Sequence, residues 1–337
     1  MKLLILTQKV DKKDPILGFF HKWLEEFSQN VKKVTVIALS VGTYDLPINV
    51  SVLSLGKERG FSRFKILTTF YKYIYQYRKD YDHIFVHMNP EYVVLAGLFW
   101  RLSGKKIVLW YTHRQTNLKL WLAEKLAHTI FTVSKESFNL SSKKVKVMGH
   151  GIDTNIFSYA PLNLETPRVV TFVGRITSIK CIETFIEAMN RLEQKFPHQY
   201  TGRVVGDAID AKDKRYKDSL PTGVNFLPSV PQSSLPEIYR ESFATVNMSP
   251  TGGMDKVVLE SLAMGRPAFA SNRAFADVFG EYRGNLLFPQ GNSEALARAI
   301  EDFTNRNDKK EVCRELAQKM HDEYGVTNLV KRICQSL

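Results

Sequence analysis

The sequence predicts an α/β fold of two doubly wound domains facing a central cleft, and three observations lead there. Short apolar, β-branched runs alternate with longer amphipathic stretches over almost all 337 residues, as in repeated βα units whose parallel strands lie under helices. The runs form two series: 3–6, 34–38, 84–86, 107–110, 129–132 and 145–147, then 169–173, 203–205, 224–227, 244–246, 268–270 and 286–288. Between them lies 151–167, poor in periodicity and carrying Pro161 and Pro167.

The runs lack strict alternation, which marks strands buried on both faces. Helices are expected at 17–27, 61–77, 92–102 and 117–127 in the first series, and at 182–192, 235–240, 257–264 and 294–303 in the second. Residues 1–150 then form an N-terminal domain, 151–167 a linker and 168–320 a C-terminal domain. The tail 321–337 carries a last helix, 327–336, with no strand after it, expected to pack back on the N-terminal domain.

Composition bounds the function. Hydrophobic residues at 44% and charged residues at 24% are globular values, which excludes a disordered chain. Cys181, Cys313 and Cys334 form no CxxC pair, against a disulfide framework or zinc site and in keeping with a reducing compartment. The opening apolar stretch is too short for a signal peptide, and the longest apolar run, near 92–100, is too short for a bilayer span of roughly 20 residues. The expectation is a cytoplasmic protein, at most peripheral on the cytoplasmic face of a membrane.

Charge is lopsided. Residues 1–160 hold 24 Lys/Arg against 12 Asp/Glu, and 161–337 hold 23 against 22. The first half therefore suits a polyanion or an anionic membrane. Within it, 61–81 contains eight aromatics interleaved with Arg63, Lys65, Lys72, Arg78 and Lys79. Such a helix either lies on an anionic lipid surface or buries its aromatics and solvates its cations.

Ligands of open parallel sheets bind beyond the carboxyl ends of the strands, so the informative residues follow strands. After 169–173, Gly174 lets the backbone turn, and Arg175 and Lys180 emerge at the crevice mouth. A planar fork and a point charge suit a diphosphate and the charge growing on a leaving nucleotide; solvated surface cations are the alternative. Ser249-Pro250-Thr251-Gly252-Gly253-Met254-Asp255-Lys256 then leads from a strand into an apolar helix, whose bare N–H groups and positive dipole end favour an anion.

Glu260, flanked by Val257, Val258, Leu259, Leu262 and Ala263, needs partners, since an unpaired buried carboxylate is costly. It stands roughly 7–8 Å along the helix from the phosphate end, the remove of a ribose from a β-phosphate. An internal salt bridge or a solvent-facing turn is the alternative. Gly18 opens the first helix, where its backbone either meets phosphate or only packs; no GxGxxG fingerprint is present. His113, at the end of another strand, is placed to donate to a sugar hydroxyl or to the reacting centre. His83 and His87 read as packing residues. Neither a paired Asp-x-Asp nor a His/Cys cluster with metal spacing occurs, so a metal-free site is the simpler expectation.

Together these segments resemble the retaining family-4 glycosyltransferases of the GT-B fold, which has two Rossmann-like domains. Phe172-Val173-Gly174-Arg175 with Lys180 resembles the family's F-V-G-R…K-G element, whose cations grip the donor diphosphate. The stretch 259–267, Leu-Glu-Ser-Leu-Ala-Met-Gly-Arg-Pro, resembles L-E-A-M-A-x-G-x-P, whose Glu contacts the ribose. Gly149-His150-Gly151-Ile152-Asp153 with Phe157 is similar to the N-G-V-D…F stretch before the linker. Val205-Gly206-Asp207 is similar to a donor-side turn, and 224–230, ending at Val230, to the loop whose backbone meets the base. His113 falls where the family has an active-site histidine near the transferred sugar.

The resemblance covers nearly the whole chain and has departures. Gly252 stands where the E-x7-E motif has its first Glu, leaving the sugar hydroxyls to Asp255 or to the amides of Gly253 and Met254. Cys181 replaces a glycine and His150 an asparagine.

What the resemblance implies is a metal-independent hexosyltransferase with no cofactor, a nucleoside diphosphate sugar as donor, and a glycan or lipid-linked acceptor on the basic first domain. Domain closure would exclude water. The alternatives are a nucleotide-sugar epimerase of the same architecture and a non-catalytic basic binding protein. Nucleic acid is set aside because no DNA- or RNA-reading motif is present.

Overall fold

The computed structural model describes residues 1–14, 16–250 and 253–337. The chain forms two compact units, Met1–Gly151 with Val326–Leu337, and Ile152–Gly325.

In the first unit the elements run β1 (Lys2–Val10), α1 (Phe19–Asn30), β2 (Lys33–Val41), β3 (Val50–Ser54), α2 (Arg63–Gln76), β4 (His83–His87), α3 (Pro90–Leu102), β5 (Lys106–Trp110), α4 (Leu118–Leu126), β6 (Thr129–Thr132) and β7 (Val145–Val147). Their order across the sheet is β3-β2-β1-β4-β5-β6-β7, every pair parallel. Residues 3–7 of β1 are all fully buried because helices cover both faces. Phe70 and Ile74 of α2, Trp100 of α3 and Leu120 of α4 pack with Leu4, Leu6, Ile84 and Leu109 on one face. On the other, α1 sets Trp23 edge-on to Trp110 (4.9 Å) and Phe27 against Phe85 (5.3 Å).

In the second unit the elements run β8 (Arg168–Val173), α5 (Ile182–Lys195), β9 (Tyr200–Val205), α6 (Ala211–Asp218), β10 (Val224–Leu227), α7 (Leu235–Glu241), β11 (Ala244–Asn247), α8 (Lys256–Ala263), β12 (Ala268–Ala270), the short α9 (Ala276–Phe279) and α10 (Arg283–Leu286), α11 (Ser293–Asn305) and α12 (Lys309–Glu323). The strands lie in the order β10-β9-β8-β11-β12, again all parallel. Residues 152–167 of the stretch expected as a linker belong to this unit: Phe157 is fully buried there against Tyr239, 6.0 Å between rings. α13 (Val326–Ser336) belongs to the first unit, where it packs on α1 with Leu329, Val330 and Ile333 buried.

One expected strand is corrected. Leu286 ends α10, and the residues after it touch the sheet through a single parallel bridge, Ala270 to Leu287. β12 ends at Ala270, so no further length of strand is offered for pairing. β3, α6 and α12 were not anticipated. β3 is a half-buried edge strand, and α6 is too charged to show an apolar stripe.

Strand order reverses direction between β1 and β4 in the first unit, and between β8 and β11 in the second. These are the points where a crevice opens beyond the strand ends.

Candidate functional site

The loop after β8 carries both candidate cations of the second unit, and its root is shaped by two glycines. Gly174 has φ +152°, a conformation that side chains resist. Its N–H donates to Val205 O (3.0 Å), and Ile176 N donates to Asp207 O (3.0 Å), tying the loop to the end of β9. At Gly206 a Cβ would overlap the carbonyl oxygen of Gly174. Only glycine allows this approach.

Lys180 crosses the switch point. Its Nζ donates to Asp255 Oδ2 (2.7 Å) and to Ser249 Oγ (2.9 Å), both on the segment that follows β11. Asn247, at the end of β11, donates to the same Oδ2 (2.8 Å), as does Ser249 Oγ (2.8 Å). Burial alone would raise the Asp255 carboxyl, but Lys180, Asn247 and Ser249 hold it below its ordinary value. Asp255 is also the N-cap position of α8. A cation, a polar cluster and a helix start therefore meet at one place.

Arg175 does not join them. Its Nε donates to Asp213 Oδ2 (2.7 Å) and a terminal nitrogen to Asp210 Oδ2 (3.0 Å), on the β9 side of β8. Asp210 is the N-cap of α6, accepting from Asp213 N (2.9 Å). Burial pushes the Asp213 carboxyl up, and Arg175, with Thr177 and the Ile209 amide, more than reverses it. The expected convergence of Arg175, Lys180 and the helix is seen here only in part: Lys180 and α8 converge, and Arg175 is engaged by carboxylates one strand away.

One turn into α8, Glu260 is buried. Tyr239 Oη donates to its Oε2 (3.1 Å) and Gln232 Nε2 to its Oε1 (3.3 Å). Burial raises the Glu260 carboxyl and lowers the Lys256 ammonium, while the attraction between the two charges opposes both shifts. Tyr239, with burial and Glu260 beside it, stays a protonated donor. Neither Tyr239 nor Gln232 was foreseen; both lie on α7 and the turn before it, with no motif to mark them.

The remaining donor-side residues fall around the same sheet edge. Gly206 N–H donates to Leu227 O (3.1 Å), joining the ends of β9 and β10. Asp207 accepts from Ser229 N (3.2 Å) and from the Ser229 hydroxyl, which lower its pKa. Val230 is half-buried in the loop after β10, Met254 is buried, and Gly253 is half-buried. Gly252, the motif's departure, lies outside the described residues.

Two candidates sit in the first unit. Gly18 is the N-cap of α1, but its N–H donates to Asp14 O (3.0 Å), and a Cβ there would press on that oxygen. The loop before α1 is held by Asp14, which accepts from Leu17 N (2.7 Å) and Lys9 Nζ (2.7 Å). Gly18 thus serves the turn, and its amide is already bonded. His113 is exposed on the segment after β5, its ring edge-on to Tyr111 (5.7 Å), and desolvation lowers its pKa. His87 packs: its ring stacks on Phe20 (4.1 Å) and Nδ1 lies 3.2 Å from Thr7 Oγ1.

Residues 167–306, which contain this site, match the protein family described as glycosyl transferases group 1. A protein of Haemophilus influenzae described as an uncharacterized glycosyltransferase is 22% identical over 260 residues, which are 73% of this chain and 69% of that one. Among solved structures, Anabaena HepE in complex with UDP superposes with TM-score 0.76 at 18% identity, covering 100% of this chain and 99% of that one. A glycosyltransferase from Rickettsia africae gives TM-score 0.77 at 12% identity, covering 99% and 97%. The fold is that of the GT-B glycosyltransferases, two Rossmann-like units with parallel sheets. The family match and the Haemophilus influenzae relative support glycosyl transfer as the activity.

Proposed function

We propose that this protein is a metal-independent, retaining hexosyltransferase. In this reading it moves a sugar from a nucleoside diphosphate carrier to a glycan or lipid-linked acceptor. The observation that carries the proposal is the cluster of Lys180, Ser249 and Asp255 at the start of α8, across the switch point of the second sheet, with buried Glu260 one turn behind. UDP bound to HepE, a protein of the same fold, supports a nucleotide sugar as donor.

On this proposal the diphosphate lies over the start of α8, where Lys180 and the helix amides meet its charge. Glu260, held by Tyr239 and Gln232, accepts from the ribose hydroxyls. The base lies near Asp207 and Val230. Arg175 reaches the diphosphate by exchanging Asp210 and Asp213 for phosphate oxygens. Asp255, or the amides of Gly253 and Met254, hold the sugar. The family resemblance gives His113 the role of donating to the transferred sugar. In the reaction the bond from the anomeric carbon to the phosphate oxygen breaks. The acceptor hydroxyl bonds to the same face of that carbon, and its proton passes to the departing phosphate oxygen.

Calorimetry with UDP, GDP, ADP and CMP tests the donor half. One nucleoside diphosphate is expected to bind, and Lys180→Ala to weaken it about 10- to 100-fold, the loss of one to two charge-assisted contacts. Unchanged binding in Lys180→Ala, or no diphosphate binding at all, defeats the assignment. Donor incubated without acceptor separates the epimerase alternative, which alone would convert the sugar.

A further inference from the structure

We propose that the outer face of α2, α3 and α4 docks on an anionic lipid bilayer. The apolar residues of these helices do not all turn inward. On α2, Phe64, Leu67, Tyr71 and Tyr75 recur at helical spacing and all face solvent, Phe64 being 77% exposed. They draw a stripe roughly 16 Å long. On α3, Leu95, Leu98 and Leu102 form a second stripe, with Leu98 62% and Leu102 81% exposed. Tyr71 Oη donates to Leu95 O (3.2 Å), so the two stripes adjoin. α4 extends the surface through Leu118 and Trp121 and is bound to α3 by the Lys119–Glu91 ion pair (2.8 Å).

Scattered exposed leucines need no explanation, but two adjoining exposed apolar rows on α2 and α3, with Leu118 and Trp121 exposed on the neighbouring α4, mark a binding surface. The charge around the band selects the partner. Residues 63–126 hold eleven Lys/Arg against four Asp/Glu. Three of those acids are already in ion pairs, Asp80 with Lys33, Glu91 with Lys119 and Glu124 with Lys125. What faces outward is apolar and cationic, which repels a second copy of itself and attracts anionic headgroups. Arg78 lies over the Tyr75 ring (4.0 Å) and Lys125 over Trp121 (5.7 Å), pairing a cation with an aromatic at the edge of the band. No described helix is long and apolar enough to cross a membrane, so the contact is in the plane of the interface. The inference stands on the first unit alone and is independent of the reaction proposed above.

Sedimentation of the full chain with phosphatidylcholine vesicles, with and without 30% phosphatidylglycerol (about a third of the lipid), tests it. Binding is expected on the anionic vesicles at low salt and is expected to weaken as salt rises. Phe64→Ser with Leu98→Ser and Leu102→Ser is expected to lower partitioning at least about tenfold. Arg63→Gln with Lys72→Gln and Lys79→Gln is expected to lower it about 100-fold on anionic vesicles, at about fivefold per cation. Both variants are expected to keep the wild-type nucleotide affinity and melting temperature, since every changed residue is exposed. Equal binding to neutral and anionic vesicles, no binding at low salt, or partitioning indifferent to both variants overturns the proposal. So does a wild-type dimer that the serine variant dissociates.

Discussion

Arg175 and Lys180 stand five residues apart on one loop, yet the structure treats them in opposite ways. Lys180 reaches over β11, into the crevice where strand order reverses, and joins a helix start through two polar groups, Asp255 and Ser249. Arg175 turns back over β9 and is held by two carboxylates of the α6 cap. The same kind of charge at the same sheet edge thus meets one carboxylate at a helix start in one case and two carboxylates in the other. Position after a strand decides which crevice a side chain can reach; its neighbours on the adjoining strand decide whether its charge is available.

The sharpest way to break that comparison is to move the root the two cations share. In Gly206→Ala the new Cβ would overlap Gly174 O, a backbone atom that cannot swing aside. The loop must shift as a whole, at a cost of about 2–3 kcal/mol. Urea denaturation is expected to show that loss, and calorimetry the loss of nucleotide binding, because Lys180 no longer meets Asp255. Stability and affinity equal to wild type would mean that the loop's root does not position its cations.

Lys180→Met has a smaller effect with a distinctive pH signature. It removes the charge-assisted hydrogen bonds to Asp255 and Ser249, worth about 2 kcal/mol of stability near neutral pH. The Asp255 carboxyl is lowered in the folded protein from an ordinary 3.8. Its contribution is therefore complete above that value and is lost as pH falls through the lowered one. Without Lys180, whose charge and hydrogen bond lower it, the carboxyl rises relative to the wild type. Acid unfolding followed by circular dichroism is expected to begin at higher pH in the variant than in the wild type. An unshifted acid limb would show that the pair adds nothing to the fold.

These contrasts also explain what could be read from the chain alone. The strands around the site were legible because β8 and β11 are short runs rich in β-branched residues and largely buried, and α8 because Val258, Leu259 and Leu262 mark a buried stripe around Glu260. Arg175's partners were not. α6, Ala-Lys-Asp-Lys-Arg-Tyr-Lys-Asp, has almost no apolar face, and its helix is set by the Asp210 cap and by charge. No periodicity could reveal it, so nothing in the sequence warned that Arg175 had carboxylates waiting. The failure at 286–288 has the opposite cause: a short apolar run reads alike as a buried strand or a buried helix end, and only the length of β12 decides. In the same way, the pattern at 61–81 fits either core or surface, and only the exposure of Phe64 and Tyr75 separates them.

The smallest expected effect is the most direct probe of whether Arg175 is held back from a ligand. Asp210→Asn keeps the cap of α6, because asparagine accepts from Asp213 N as aspartate does. It removes only the charge that faces the Arg175 guanidinium at 3.0 Å. Asp213 remains, so Arg175 keeps one carboxylate and its place near the loop. If diphosphate and Asp210 compete for the guanidinium, nucleotide binding is expected to tighten between about 1.5- and 5-fold, the range for one exposed ion pair. The gain should shrink as salt is raised, because the competing pair is solvent-exposed and screened. In an Arg175→Ala background the same substitution should change nothing. A gain that persists without Arg175 would trace to net charge alone. Weaker binding would mean that Asp210 positions Arg175 for the ligand instead of withholding it.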